Sequence, residues 1–174
     1  MALLVELDGV RPTIGEDVFL APNATLIGRV HVGDRSSIWF GAVLRADSED
    51  IRVGAGTSIQ DNAVLHCAWG LPTVVGDNVI VGHGALLEGC TIEDGAIVGM
   101  GAVVLQRSRL GRRAMLAAGS VLGEGAEIDA ETLAAGVPAR AKKPLSGSAL
   151  RWADTAAEEY QNYRERYLRS AREV

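Results

Sequence analysis

The sequence predicts an all-β solenoid, a parallel β-helix built from hexapeptide repeats, with one α-helix at its C-terminal end. Two observations predict the solenoid. Aliphatic residues recur at every sixth position over most of the chain, and a glycine or another small residue often follows each of them. A period of six fits neither the alternation of an ordinary strand nor the period of about 3.6 residues of a helix. It is typical of a coil in which each hexapeptide forms one flat side of a triangle.

The repeat is followed through its aliphatic positions, which continue across two interruptions and one deletion. These positions are Ile14, Leu20, Leu26, Val32, Ile38, Leu44, Val53, Ile59, Leu65, Val75, Val81, Leu87, Ile92, Val98, Val104, Leu110, Leu116, Leu122 and Ile128. The alternative, an ordinary β-sandwich, predicts turn clusters at intervals of about 8 to 12 residues instead. Residues 1–140 are therefore predicted to form the β-helix.

The pattern changes in the C-terminal part of the chain. The repeat fades around Pro138, which cannot donate to a strand ladder and suits an exit from the coil. Residues 141–174 are predicted to form a linker and an α-helix that packs on the side of the β-helix or on a neighbouring subunit. Ser146 to Ser148 offer an N-cap. An amphipathic stripe with steps of three and four follows, made of Ala149, Ala153, Ala156, Tyr160, Tyr163 and Tyr167.

Composition excludes several classes of function. Aromatic residues make up only 5% of the chain, so the core must be built from Val, Ile, Leu and Ala. The net charge of −5 gives no electrostatic footprint for nucleic acid. The N-terminal sequence lacks the features of a signal peptide, and no apolar run is long enough to span a bilayer. The two cysteines make no disulfide framework, which fits a reducing compartment. We therefore expect a cytoplasmic protein with neither a nucleic-acid nor a membrane partner.

The interruptions of the repeat point to one site. They lie at residues 44–53 and 66–74, and the second must bulge out as a loop. Insertions in a solenoid fall on one face, often the binding face. Because three hexapeptides make one coil, Glu88 should stack on His66 at a backbone distance of about 4.8 Å. The same count puts Arg45 one coil below His66.

Histidine placement suggests a metal site that two chains share. His83 is the third residue of its hexapeptide and lies on another side of the triangle, so it cannot readily meet His66 and Glu88 within one chain. A closed three-fold ring of chains would bring them together three times. Two imidazoles and one carboxylate are a known ligand set of catalytic Zn²⁺, and the same set tolerates Fe²⁺ or Co²⁺. The remaining histidine, His31, is interpreted as a surface residue.

The sequence resembles the γ-class carbonic anhydrase family. The resemblance covers nearly the whole chain and is carried by segments 44–47, 59–66, 81–92 and 95–102. It implies a left-handed β-helix, a homotrimer, and reversible hydration of CO2 to bicarbonate. It also implies a zinc ion at each subunit interface, held by two histidines from one chain and one from the next.

The resemblance also implies roles for individual residues. His66 and His83 match metal ligands, with His83 contributed by the neighbouring chain. Further matches are an interfacial ion pair at Arg45 and Asp47, a residue that hydrogen-bonds the zinc-bound solvent at Gln60, and an active-site helix tyrosine near Tyr160.

The sequence departs from the family pattern at three places. The third metal-binding histidine of the family falls at Glu88, and Ala46 replaces the usual glycine. In the archetypal member an acidic loop contains a glutamate that shuttles protons. The loop at residues 66–74 of this chain contains no acidic residue. A carboxylate ligand cancels one unit of metal charge, so a bound water should be less acidic than with three imidazoles.

Two other functions stay open. A hexapeptide-repeat acyltransferase with an acyl-CoA donor would share the fold and use one interfacial histidine as a base. A non-catalytic trimer could have kept the fold and lost the metal, with Glu88 marking the loss. Cys67 and Cys90 are interpreted as small core residues, a soft metal ligand being the alternative. Trp69 either lines the mouth of the site or packs on an adjacent subunit.

Overall fold

The protein is a parallel β-solenoid with one C-terminal helix in the part of the chain that the structure describes. The computed structural model describes residues 2–172, so that positions 1, 173 and 174 of the predicted regions lie outside it. Its coil makes about seven turns and matches the left-handed β-helix of hexapeptide-repeat proteins. The predicted fold class is thus confirmed.

Most strands of the coil are two or three residues long, because each side of the triangle holds only the middle of one hexapeptide. In chain order the elements are β1 (Leu3–Val5), β2 (Thr13–Ile14), β3 (Phe19–Leu20), β4 (Thr25–Val32), β5 (Ser37–Ile38), β6 (Val43–Val53), β7 (Ser58–Ile59), β8 (Val64–His66), β9 (Thr73–Val75), β10 (Ile80–Val81), β11 (Leu86–Glu88), β12 (Thr91–Ile92), β13 (Ile97–Val98), β14 (Val103–Val104), β15 (Arg109–Leu110), β16 (Met115–Leu116), β17 (Val121–Leu122), β18 (Glu127–Ile128), β19 (Thr132–Gly136), β20 (Ala139–Pro144) and α1 (Gly147–Ser170).

The three sides of the coil form two sheets. One side is an 8-stranded sheet in the order β20-β19-β16-β13-β10-β7-β5-β3. The other two sides merge into a 12-stranded sheet, because β4 and β6 are long enough to run past the corner between them. The two halves of β6 therefore pair with different strands, residues 43–45 with β8 and residues 51–53 with β9.

The core is a column of stacked aliphatic side chains. All the aliphatic repeat positions except Ile14 and Leu20 are buried. Leu65, for example, is paired with Leu44 on one neighbouring coil and with Leu87 on the other. Burial of a side chain of this size contributes about 1.5 to 3 kcal/mol.

At most of the positions where a glycine follows the aliphatic residue, the neighbouring coil leaves no room for a larger side chain. A Cβ atom on Gly82 would lie 2.7 Å from the backbone nitrogen of Met100 and 2.8 Å from the carbonyl oxygen of Val98. The backbones approach so closely at this position that a larger side chain would push the coils apart.

The two interruptions are accommodated in different ways. The first lies inside the continuous strand β6, where the register with β4 shifts between Gly28 and Val30. The second protrudes as predicted, with an antiparallel bridge between Ala68 and Leu71 closing a tight turn. Trp69 lies at the tip of this turn and is 88% exposed. Trp69 therefore packs on little of its own chain, and its position at the mouth of the site or on an adjacent subunit stays a prediction.

The exit from the coil is a hairpin. Strand β20 runs antiparallel to β19, and all the other strand pairings of the two sheets are parallel. The predicted boundary at residue 140 falls inside β20, so residues 141–144 extend this hairpin and do not form a linker. Sequence reasoning missed the hairpin because the repeat had ended and no second periodic signal replaced it.

Helix α1 packs on the coil of its own chain. Its N-cap is Ser146, as predicted, although the serine side chain makes no capping hydrogen bond. Ala156 is buried against Ile80 and Ile97, and Tyr167 stacks edge-on against Trp39 with ring centroids 5.0 Å apart. Within the described residues no helix has the length and apolar character needed to cross a membrane.

Candidate metal centre

His66 lies in the middle of a three-residue stack across neighbouring coils. It is the last residue of β8 and is paired in register with Arg45 of β6 and with Glu88 of β11. Both predicted register partners are therefore confirmed. The Nδ1 atom of His66 lies 3.7 Å from Oε1 of Glu88.

Asp47 occupies the other side of the His66 ring. Its Oδ1 lies 3.0 Å from Nε2 of His66, while its Oδ2 forms an ion pair with Arg45. Burial raises the pKa of Asp47, but the hydrogen bond with His66 and the charge of Arg45 outweigh it, so that this pKa lies below its ordinary value. The carboxylate therefore stays ionised and holds the imidazole by one nitrogen. This is the arrangement by which carboxylates commonly orient a metal-binding histidine.

Cys67 joins this cluster from the inside of the coil. Ligand atoms of Asp47, His66 and Cys67 all lie within 4.8 Å of one another. The Cys67 side chain is fully buried, and its Sγ accepts a hydrogen bond from the backbone N–H of Glu49 at 3.2 Å. The prediction that Cys67 is a core residue is correct, but the sequence does not indicate that its sulfur faces the carboxylate of Asp47.

Cys90 does not belong to this group of ligands. It is 2% exposed, and burial raises the pKa of its thiol to about 12. For Cys90, the interpretation as a core residue agrees with the structure.

His83 belongs to a second cluster on another corner of the coil. It lies in the turn between β10 and β11, and its Nδ1 is 2.8 Å from Oδ2 of Asp61. The backbone N–H of His83 donates to Oε1 of Gln60 at 3.1 Å, so both residues of the preceding coil hold this turn. Gln60 is 3% exposed. Its carbonyl oxygen is therefore used to anchor the backbone that carries His83.

Sequence reasoning missed Asp61, although the hexapeptide count contains it. Because Ile59 is paired with Val81, the residue two positions after each of them must also stack, and these residues are Asp61 and His83. The count that placed Glu88 on His66 would have found this second pair.

Tyr160 reaches the His83 cluster from helix α1. It lines an open cleft of about 690 Å³ together with Trp39, Asp61, His83 and Arg166. Burial is the main reason why the pKa of Tyr160 is raised, and the negative charges of Asp61 and Glu159 add to it. The approach of Gln60 acts in the opposite direction. The phenol thus stays protonated and remains a hydrogen-bond donor at neutral pH.

The three predicted metal ligands divide between the two clusters. His66 and Glu88 face each other, whereas His83 lies on a different corner of the same chain, as the register argument required. Two ligands of one tetrahedral zinc ion lie about 3.3 Å apart when each bond is about 2.0 Å long. The His66 and Glu88 atoms, at 3.7 Å, fit such a site after a small adjustment.

Comparisons with known proteins agree with the fold. Two hexapeptide-repeat family models match, described as "Bacterial transferase hexapeptide (six repeats)" over residues 11–46 and "Hexapeptide repeat of succinyl-transferase" over residues 72–106. A hexapeptide transferase family protein from Anaplasma phagocytophilum has a TM-score of 0.90 and 39% identity, covering 95% of this chain and 98% of its own. Fold, repeat and matches together define a hexapeptide-repeat β-helix protein.

Sequence relatives narrow this class. "Gamma carbonic anhydrase 2, mitochondrial" from Arabidopsis thaliana is 43% identical over 87% of this chain, and the match spans 56% of that protein. "Probable carbonic anhydrase" from Methanocaldococcus jannaschii is 38% identical over 76% of this chain and 84% of its own length. The chain thus spans little more than half the length of the plant relative and most of the archaeal one. It belongs to the γ-class carbonic anhydrase family.

Proposed function

We propose that the protein catalyses the reversible hydration of CO2 to bicarbonate at a divalent metal site between the subunits of a homotrimer. In this proposal His66 and Glu88 of one protomer and His83 of the next hold the metal, with Zn²⁺ as the first candidate. The observation that carries it is the facing pair of His66 and Glu88, with Asp47 bonded to the opposite nitrogen of the imidazole. Membership of the family supports the same reaction.

The bound cation would supply Lewis acidity, which makes a water molecule acidic enough to react near neutral pH. The residues of the chain prepare the site for it. Asp47 fixes the ring of His66, and its ion pair with Arg45 keeps the carboxylate in place. Asp61 holds His83 through Nδ1, which leaves Nε2 of that ring directed to a ligand. Tyr160 adds a neutral donor in the cleft beside His83, suited to an oxygen of bicarbonate.

Glu88 is expected to make this site slower than one with three imidazoles. Its carboxylate would cancel one positive charge at the metal, so that less of a bound water is ionised at pH 7. Sites with two histidines and one glutamate are nonetheless active in other zinc enzymes. We therefore expect the protein to be an active carbonic anhydrase with a lower rate of CO2 hydration than an enzyme whose metal is held by three imidazoles.

The test combines metal analysis with CO2 hydration in a stopped-flow spectrometer. Protein purified without added metal should contain one divalent ion per chain, and His66→Ala and His83→Ala should each lose both metal and activity. His31→Ala is the matched control, because His31 lies away from both clusters and its Nδ1 bonds to Thr13 Oγ1. Protein that binds metal in a trimer but hydrates no CO2 would contradict the proposed reaction.

Acyl transfer is the second candidate. The pairing of His83 with Asp61 at 2.8 Å beside an open cleft also suits a general base that deprotonates an acceptor hydroxyl or amine. A structurally similar relative is described as a hexapeptide transferase family protein. Coenzyme A binding, measured by calorimetry on metal-free protein, separates the two candidates, because CO2 hydration requires no such ligand.

A further inference from the structure

We propose that Trp69 of one protomer packs into the cleft beside His83 of the next protomer and narrows it, so that CO2 and bicarbonate enter but larger substrates do not. This inference rests on the proposed function, because it requires His66 of one chain and His83 of the next to meet at one metal. It makes Trp69 a specificity-determining residue that a second chain contributes to the site.

One side of the coil presents an apolar stripe beside the proposed metal ligands. Leu86 and Glu88 point outward on either side of the buried Leu87, and Leu86 is 46% exposed. The outward positions aligned with Leu86 along the coil are all aliphatic and half-buried, namely Val43, Val64, Val103 and Val121. His66 and Glu88 lie along one edge of this stripe, and His83 lies at the turn before the other. The stripe fits a second copy of this chain, because the proposed trimer brings these two edges together.

The chain leads directly from the proposed metal site to Trp69. Trp69 follows His66 by three residues, so the two Cα atoms lie within about 11 Å of each other even in an extended segment. The bridge between Ala68 and Leu71 makes this segment a tight turn. In the proposed trimer the ligand atoms of His66 and of the next protomer's His83 lie about 3.3 Å apart. The indole therefore lies beside that His83, at the mouth of its cleft.

The walls of the cleft suit an indole. Trp39, Tyr160 and Tyr163 all line it, and Tyr163 is 40% exposed. Aromatic side chains favour edge-to-face or offset contacts with one another. Arg166 lines the same cleft, and a guanidinium group stacks well on the face of an indole. Trp69 is 88% exposed within its own chain, and tryptophan is a frequent anchor of protein interfaces.

The cleft is too large for the substrate of the proposed reaction. Its volume of about 690 Å³ is typical of sites for drug-sized ligands, whereas CO2 and bicarbonate have only a few non-hydrogen atoms. An indole at the mouth fills much of this space and leaves the part next to His83 and Tyr160. Trp69 thereby favours CO2 hydration over acyl transfer, because an acyl-CoA donor needs the open cleft.

Tryptophan fluorescence tests the contact without measuring activity. In a Trp152→Phe background the remaining indoles are Trp69 and Trp39, and the latter is 6% exposed. In the trimer isolated by gel filtration we expect blue-shifted Trp69 emission that acrylamide hardly quenches. Tyr163→Ala removes a wall of the cleft and should make this emission easy to quench. Leu150→Ala, at a similarly exposed position of the same helix, 37%, should leave it protected.

Dye binding tests the narrowing of the cleft. Anilinonaphthalene sulfonate is an aromatic anion that fluoresces in apolar surroundings and is much larger than bicarbonate. Trp69→Ala should bind one more dye molecule per chain than the wild-type trimer does. Trp152→Phe, which changes a different partly exposed tryptophan, should bind as the wild-type protein does. Equal binding by Trp69→Ala and wild-type protein overturns the role in specificity.

The outcomes separate this inference from the proposed function. A metal-loaded trimer that hydrates CO2 while acrylamide quenches Trp69 freely keeps the function and overturns the inference. A trimer with protected Trp69 that hydrates no CO2 supports the contact and contradicts the proposed reaction. Protection that survives in Tyr163→Ala overturns the assignment of the cleft, and a chain that stays monomeric overturns the contact itself.

Discussion

Glu88 faces the Nδ1 side of His66 from the neighbouring coil, at 3.7 Å and in register, while Asp47 faces the Nε2 side at 3.0 Å. The imidazole thus lies between two carboxylates and is hydrogen-bonded to one of them, Asp47. Asp47 also carries the ion pair with Arg45, so its role is to fix the ring. Glu88 is left as the carboxylate that would set the charge at a metal held by this histidine.

Glu88→His should speed up CO2 hydration if the carboxylate limits the acidity of the site. Restoring one unit of positive charge should raise the rate about tenfold, which corresponds to about 1.4 kcal/mol. The rate is measured on metal-loaded protein of known metal content. Glu88→Gln is the control, because it removes the charge without adding an imidazole and should weaken metal binding instead. Equal rates for the His variant and the wild-type protein would contradict this account of Glu88.

Asp61→Asn should weaken metal binding at the proposed interface site by about 10- to 100-fold, the usual effect of losing a carboxylate that orients a ligating histidine. The reason is the 2.8 Å contact between Asp61 and Nδ1 of His83, which fixes the ring. Affinity is measured by competition with a chelator, so the result does not depend on activity. Asp129→Asn, at an exposed turn near the far end of the coil, should bind metal as the wild-type protein does. Unchanged affinity in Asp61→Asn would remove Asp61 from the site.

The fold was predictable because the six-residue repeat of aliphatic side chains is visible in the sequence. Backbone contacts between coils demand a small residue at positions such as Gly82, and the column of buried aliphatic residues demands the repeat itself. Counting hexapeptides therefore predicted which residues stack, including Glu88 on His66. The β19–β20 hairpin was not predictable in this way, since it begins where the repeat ends.

The site was predictable only where it depends on backbone register. Asp61 could have been found by the same count. The direction of the Cys67 sulfur could not, because Cys67 lies in the aperiodic segment after β8 and its contacts with Asp47 and Glu49 depend on the irregular course of β6. The meeting of His83 with His66 depends on a second chain and stays a prediction.

Cys90 should resist thiol reagents in the folded protein. Burial raises the pKa of its thiol from the ordinary value of 9.0 to about 12, so almost no thiolate is present at pH 8. In a Cys67→Ser background, a disulfide reagent should label the single remaining cysteine only after denaturant is added. Stoichiometric labelling of the native protein within minutes would contradict the burial of this sulfur.

The same raised pKa predicts alkaline destabilisation. The folded state keeps the proton more tightly than the unfolded state, so the contribution of Cys90 to stability is constant below about pH 9. It is lost between about pH 9 and 12, at up to about 1.4 kcal/mol per pH unit. Cys90→Ala should flatten this part of the stability profile, measured by urea unfolding at a series of pH values. An equally steep decline in the variant would assign the effect to other groups.

Arg164→Met should loosen the attachment of helix α1 to the coil. Arg164 is 5% exposed; its guanidinium donates to the carbonyl oxygen of Asp17 and, at 3.0 Å, to Gln161. Methionine keeps much of the packing but leaves both acceptors without this donor, at a cost of about 1 to 3 kcal/mol. Arg151→Met, on an exposed part of the same helix, should change the free energy of unfolding by less than about 0.5 kcal/mol. Urea unfolding of the two variants makes the comparison, and equal stabilities would mean that Arg164 does not anchor the helix.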